Sequence, residues 1–197
     1  PHTVAFSPDG TMAYVTNSES GPVDGVSFTV SVIDTATNAI KKGVDDVPVP
    51  NIAVGDRPRG VAFSPDGTKA YVTIRNKHLI RVIDTDPLSS GFNKVAVGIK
   101  GIAVGQHPYA VAFSPDGTKA YVTNDTDGTV SVIDTANYKI ITTIAVGNRP
   151  VAVAVSPDGT AAYVTNYTDG TVSVIDLRAD AISSDSGDSG GGTDPGI

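Results

Sequence analysis

The 197-residue sequence contains no cysteine, which excludes disulfides and thiolate metal sites but leaves the compartment open. Glutamate occurs once, at Glu19, and histidine three times, at His2, His78 and His107, with no pair at the close spacing of a metal motif. Basic residues are also scarce, 14 Lys and Arg against 21 Asp and Glu, for a net charge of -7. With no basic cluster, that balance argues against nucleic acid as a partner, since phosphate binding needs Lys and Arg gathered on one face. No apolar run approaches the roughly 18 residues of a membrane span, and nothing at the start has the order of a signal peptide. What is plentiful is glycine, 21 residues, and proline, 13, in a chain that is 40% hydrophobic, the balance of a turn-rich globular domain.

Repetition dominates the sequence. SPDGT recurs at Ser7, Ser64, Ser114 and Ser156, YVT at Tyr14, Tyr71, Tyr121 and Tyr163, and VID at Val32, Val82, Val132 and Val174. A fourth landmark, IAVG, at Ile52, Ile102 and Ile144, leads into the next SPDGT after a constant 12 residues. The periods are 57, 50 and 42 residues, the shortest in the range of a propeller blade. Seven extra residues lie between SPDG and VID in the first copy, at Ser18–Phe28, and eight between VID and IAVG in each of the first two. These last insertions, Ala39–Asn51 and Asp86–Gly101, are expected in the connection between the third and fourth strands.

Within the third copy four β-branched or aromatic runs, Ala110–Ser114, Lys119–Asn124, Thr129–Asp134 and Ile140–Val146, are separated by turn residues and predict an antiparallel meander, strands a to d. Pro115-Asp116-Gly117 and Asp127-Gly128 supply the turns. Apolar residues on both faces mean that each sheet lies between two neighbours, and radial stacking satisfies that need. The fold class is therefore all-β, a β-propeller with four-stranded antiparallel blades at about 1–55, 56–105, 106–147 and 148–177. Residues 178–197 read as a Ser, Gly and Asp linker or tail, in which Ala179–Ser183 is the sole candidate to complete the last blade.

Through YVTN at Tyr14, Tyr121 and Tyr163 and VIDT at Val32, Val82 and Val132, the sequence resembles the YVTN-type β-propeller repeats of surface-layer and lactonase-like proteins. It departs at Ile74 and Leu177. The resemblance implies rings of about seven blades and an extracellular or cell-envelope location. A fragment of a larger ring, a closed four-bladed ring and a homodimer of two half-rings all fit four copies, and the phase of the two ends favours the fragment.

Chain direction puts the d-to-a and b-to-c connections on one face. The variable residues there are Asp56, Arg57, Arg59, Gln106, His107, Tyr109, Asn148 and Arg149, with His2 at the same level. Different side chains on one framework suggest a binding face for a protein or glycan partner, with a convergence of His2 and His107 at the axis as a further possibility. The repeated Asp9, Asp66, Asp116 and Asp158 read as turn formers, and Asp34, Asp84, Asp134 and Asp176 as caps of the turn after strand c. Asp125-Thr126-Asp127-Gly128 has part of a calcium loop without its downstream Glu. The expectation is a non-enzymatic module with no catalytic residues, no cofactor and no metal. The resemblance implies an alternative, a lactonase-like or quinoprotein-dehydrogenase-like enzyme with an axial site.

Overall fold

The computed structural model describes residues 1–18, 28–41, 51–178 and the backbone of 184–185. Most of the Ser18–Phe28 insertion, residues 42–50, the candidate strand Ala179–Ser183 and the rest of the tail lie outside the described residues.

The chain folds as four antiparallel sheets in sequence order, the blades of a propeller. The first holds β1 (Val4–Phe6), β2 (Met12–Asn17), β3 (Thr29–Asp34), β4 (Ala39–Ile40) and β5 (Ile52–Ala53). The second holds β6 (Pro58–Phe63), β7 (Lys69–Ile74), β8 (Leu79–Asp84), β9 (Lys94–Val95) and β10 (Ile102–Ala103). The third holds β11 (Pro108–Phe113), β12 (Lys119–Asn124), β13 (Thr129–Asp134) and β14 (Lys139–Ala145). The fourth holds β15 (Pro150–Val155), β16 (Ala161–Asn166), β17 (Thr171–Asp176) and β18 (Ser184–Asp185).

The insertions after VID differ from expectation. Both β4 and β5 pair with β3, and both β9 and β10 pair with β8, so the extra residues interrupt strand d instead of only lengthening the c-to-d turn. Strand d is the outermost strand, and a break there costs a few ladder bonds without disturbing the inner strands. In the fourth blade, Ser184–Asp185 supply a short strand d against Val174 and Ile175.

Each SPDGT turn is closed by its own side chains. The Ser hydroxyl donates to the Asp carboxylate, at 2.5 Å for Ser114–Asp116, and the same carboxylate accepts the Thr amide at 3.0 Å. Gly117 takes φ +71°, which costs a glycine little. The bonds from Ser, then from Thr, hold Asp9 and Asp116 below the ordinary carboxylate range and Asp158 at about 2. At Asp66 burial works the other way, and the same bonds outweigh it.

Blades pack through strands a and b: β6 lies against β1 and β2, β11 against β6 and β7, and β15 against β11 and β12. Tyr14 and Tyr71 fill the first two junctions, each against the Phe of the next strand a, Phe63 and Phe113. Gly60 marks the closest approach. A Cβ there would stand 2.7 Å from the Tyr109 carbonyl oxygen and 3.0 Å from Ala110 Cα, both backbone of the neighbouring blade. Gly60→Ala is therefore expected to cost about 1–3 kcal/mol in urea unfolding, because relief requires two inner strands to part. A change below 0.5 kcal/mol, roughly the scale of neutral surface substitutions, would contradict this packing.

The Asn of YVTN is a buried rung. Asn124 Nδ2 donates to Thr129 Oγ1 and Ser131 Oγ, both at 2.9 Å, and Asn166 repeats the pattern with Thr171 and Ser173. The departure at Ile74 is matched on the facing strand, where Leu79 and Arg81 stand at the positions of Thr129 and Ser131. An Ile74–Leu79 pair replaces the Asn–Thr one, Arg81 turns its hydrogen bonds to the Val54 and Lys100 carbonyls, and Ile74 is fully buried.

Candidate functional site

The d-to-a and b-to-c connections meet on one face, as chain direction requires. Asn76 Nδ2 donates to Asp56 at 3.2 Å, the Gln106 amide to Asp127 at 2.7 Å, and the Asn148 amide and side chain to Asp169 at 2.7 and 2.8 Å. Asp56, Gln106 and Asn148 thus serve as braces between loops. Asp127 and Asp125 are both engaged by protein groups, so the partial calcium pattern of that loop is occupied internally.

Arg57, His107 and Arg149 share one repeat position, each before a proline, and each has a left-handed backbone with φ of 54–57°. Non-glycine residues rarely adopt that conformation, which disfavours an L side chain by about 1–2 kcal/mol. Here the carbonyls of these residues accept the amides of Arg75, Asp125 and Tyr167 at 3.0, 3.2 and 2.9 Å, which fixes the backbone. The side chains are left to differ. Arg57 is exposed, His107 Nδ1 lies 2.6 Å from Thr126 Oγ1, and Arg149 reaches Asp125 at 3.2 Å while covering the Tyr167 ring.

Two residues further along strand a, past the proline, His2, Arg59 and Tyr109 from three successive blades converge. A His2 ring nitrogen, Nε2, lies 3.1 Å from the Tyr109 hydroxyl, and the two rings meet edge to face at 5.2 Å. The Arg59 guanidinium stands over the Tyr109 ring at 5.6 Å. Contact between the first and third blades places these side chains at the inner mouth of the arc. Among the described residues, Arg59 Nε is buried without a hydrogen-bond partner. Burial first, then the Arg59 charge, holds His2 below the usual imidazole range. His107 does not join it: its ring lies 5.1 Å from that of His78, and its amide donates to His78 Nδ1 at 3.0 Å. Burial, followed by the Arg75 and His78 charges, lowers His107 as well.

These shifts define a pH profile. A lowered group contributes stability above its unfolded value that is lost as pH falls through its folded value. Thermal melts should therefore show a shallow decline as pH falls below the ordinary histidine value of 6.5, from His2 and His107. A steeper fall should follow below the carboxylate value of 3.8, continuing to about 2 as Asp158 protonates. A steep fall already complete by pH 5 would assign acid unfolding to other groups.

Sequence reasoning missed Arg75 and Tyr167 and gave Asp125 and His78 no part in this face; all four lie in b-to-c connections. Asp125 is buried and bound by Arg75 at 2.8 Å and by Arg149 at 3.2 Å. Its signal was an acid placed directly after YVTN, where the other copies carry Ser18, Arg75 and Tyr167. All three histidines and four of the six arginines, Arg57, Arg59, Arg75 and Arg149, lie on this face of an acidic chain.

Among curated proteins, none matches the sequence. Solved structures share the fold. The chain is similar to hydrazine synthase of Kuenenia stuttgartiensis, with 26% identity and TM-score 0.72 over 92% of this chain and 48% of that one. A functionally unknown protein of Desulfotomaculum acetoxidans gives 20% identity and TM-score 0.74 over 92% and 54%. A protein of Bacteroides uniformis assigned as a 6-phosphogluconolactonase gives 15% and 0.63 over 92% and 69%. The chain thus spans about half the length of the first two. Residues 70–183, more than half of the sequence, match the family described as the cytochrome D1 heme domain, and it is to this propeller family that the chain belongs.

Proposed function

We propose that the chain is a non-enzymatic binding module of a secreted or cell-surface protein, and that its d-to-a and b-to-c face takes an acidic segment of a protein or glycan at the axial mouth. The observation that carries this reading is Arg59, whose Nε is buried without a partner among the described residues, beside Tyr109 and His2. A carboxylate would supply the missing acceptor, and a sugar or side-chain face could stack on Tyr109. Arg57, His107 and Arg149 flank that position from the left-handed loop sites. The surface location rests on the resemblance to YVTN-type repeats.

The family description implies a heme, which needs an axial ligand with a free lone pair facing a slot as wide as the macrocycle. Both ring nitrogens of His2 are engaged, one by Thr3 Oγ1 and one by Tyr109. His78 and His107 lie ring to ring. Four cavities among the described residues, of about 220 to 430 Å³, are lined by no histidine. No three His, Cys, Asp or Glu side chains gather among those residues. The residues described do not form a heme site, and the binding reading needs none.

Calorimetry with oligogalacturonate and with polyglutamate tests the proposal. Arg59→Ala is expected to weaken one of them at least tenfold, about 1.4 kcal/mol, with an unchanged melting temperature. Equal affinity of wild type and variant for both probes would overturn it. One observation favours a second, enzymatic reading: a neutral His2 beside the Tyr109 hydroxyl has the arrangement of an acid–base pair. Lactone hydrolysis lost on His2→Ala would support that alternative, the lactonase-like one, over binding alone.

A further inference from the structure

Two junctions between blades are built alike and finished differently. Asn93 and Tyr138 are equivalent residues of the second and third blades: each directly precedes the lysine that opens β9 or β14, and each has a left-handed backbone, φ 56° and 60°. The amide of each donates to the Asp that ends strand c, Asn93 to the Asp84 carbonyl at 2.8 Å and Tyr138 to that of Asp134 at 2.9 Å. At the first junction the Tyr14 hydroxyl donates to the side-chain carbonyl of Asn93. At the second, Tyr138 stands in that place and offers no carbonyl. The Tyr71 hydroxyl has no hydrogen-bond partner among the described residues.

Tyr71 is 1% exposed and lines a cavity of about 220 Å³ between the second and third blades, together with Tyr138, Phe113, Asp66, Asp116 and Lys69. Burial, then the neighbouring Tyr138 and Asp134, push its hydroxyl above the usual phenol range, so it remains a proton donor. What it needs is an acceptor. Lys69 Nζ is engaged by Asp84 at 3.4 Å and by the Thr68 carbonyl at 3.1 Å, which leaves the exposed Asp66 and Asp116 carboxylates to set the charge of the rim. They repel an anionic acceptor and take hydrogen bonds from hydroxyl groups. Asn93 shows which uncharged acceptor the first junction uses, an amide carbonyl. The cavity is smaller than the roughly 300–1,000 Å³ of drug-sized sites, so its occupant is no larger than a monosaccharide.

We infer that this cavity binds an N-acetylated hexosamine. The acetamide oxygen accepts from the Tyr71 hydroxyl, as Asn93 does from Tyr14, the ring hydroxyls donate to Asp66 and Asp116, and the apolar side of the sugar packs on the Phe113 and Tyr138 rings. The SPDGT and c-to-d turns place this site on the face opposite the d-to-a and b-to-c loops. The inference goes beyond the binding proposal and stands without it.

Calorimetry with N-acetylglucosamine and N-acetylgalactosamine is expected to give a dissociation constant of about 1 mM or tighter for at least one of them. Glucose, which lacks the acetamide, should bind about tenfold more weakly or worse, and Tyr71→Phe should weaken the N-acetyl sugar by a similar factor. Tyr138→Asn carries the arrangement of the first junction into the second. It supplies the carbonyl from within and suits a left-handed position better than tyrosine, so it should abolish binding with an unchanged or higher melting temperature. Should that variant lose its β-type circular dichroism, Tyr71→Phe decides alone. No binding of either N-acetyl sugar, glucose bound as tightly, or unchanged affinity in Tyr71→Phe would overturn the proposal.

Discussion

Tyr71→Ala is expected to lower the unfolding free energy by about 3–5 kcal/mol, the usual cost of deleting a fully buried aromatic. Tyr71 is 1% exposed and sits between Phe113 of the next blade and the aliphatic residues Ile80, Val82, Val111 and Val122. Its edge-to-face contact with Phe113 adds about 0.5–1.5 kcal/mol beyond burial. Because the side chain spans a junction, its loss leaves a cavity between two sheets, and neither sheet can collapse into it without tilting its own hydrogen-bonded strands. Tyr71→Phe keeps the ring and should cost less than about 1.5 kcal/mol. Urea unfolding of both variants checks the pair, and equal costs would mean that the hydroxyl, not the ring, holds the junction. Tyr163→Ala supplies a contrast at the same repeat position. It should cost about 1 kcal/mol or less, since the ring is already half exposed.

The propeller was legible because each landmark is fixed by local chemistry that repeats. SPDGT is a self-closing turn, Asp127-Gly128 a hairpin signal, and strands b and c of the third blade lie at Lys119–Asn124 and Thr129–Asp134 as read. Strand d was harder to read, because pairing with strand c alone does not forbid an interruption. Nothing local marks whether eight added residues sit in a turn or break a strand, and in the first two blades they break it.

At the mouth, placement on one face followed from topology, whereas partnership did not. Arg59 and Tyr109 were singled out as variable loop residues, but their meeting with His2 depends on how far three strands a lean inward, which spacing does not encode. His107 illustrates the limit. It lies one residue before a proline, at a left-handed position that turns it toward His78, while His2 is aligned with Arg59 and Tyr109 two residues later. Two residues apart on a regular strand would share a face, and the left-handed turn at His107 breaks that alternation.

Asp125→Ala should destabilise the chain by about 3 kcal/mol and at the same time strengthen its hold on anions. The carboxylate is 5% exposed and lies between the Arg75 and Arg149 guanidiniums. Removing one member of a buried ion pair costs about 3–5 kcal/mol because the remaining charge is left uncompensated. The lower end applies here, since Arg149 is 54% exposed and also rests on Tyr167 at 4.8 Å, so it can recover water and a ring contact. Arg75, at 21%, recovers less. In an Arg75→Ala background the same substitution should therefore cost less than half as much, giving a coupling energy above about 1 kcal/mol in a double-mutant cycle. Additive costs would show that Asp125 acts alone. The freed arginines face the same mouth as Arg59, so oligogalacturonate or polyglutamate affinity should rise several-fold in Asp125→Ala, opposite to the loss in Arg59→Ala. In the native chain Asp125 would then act as an internal competitor, restraining two of the four arginines of the mouth for stability and leaving Arg59 to the ligand. A fall in affinity with the fold intact would instead place Asp125 among the groups that hold the binding face in shape.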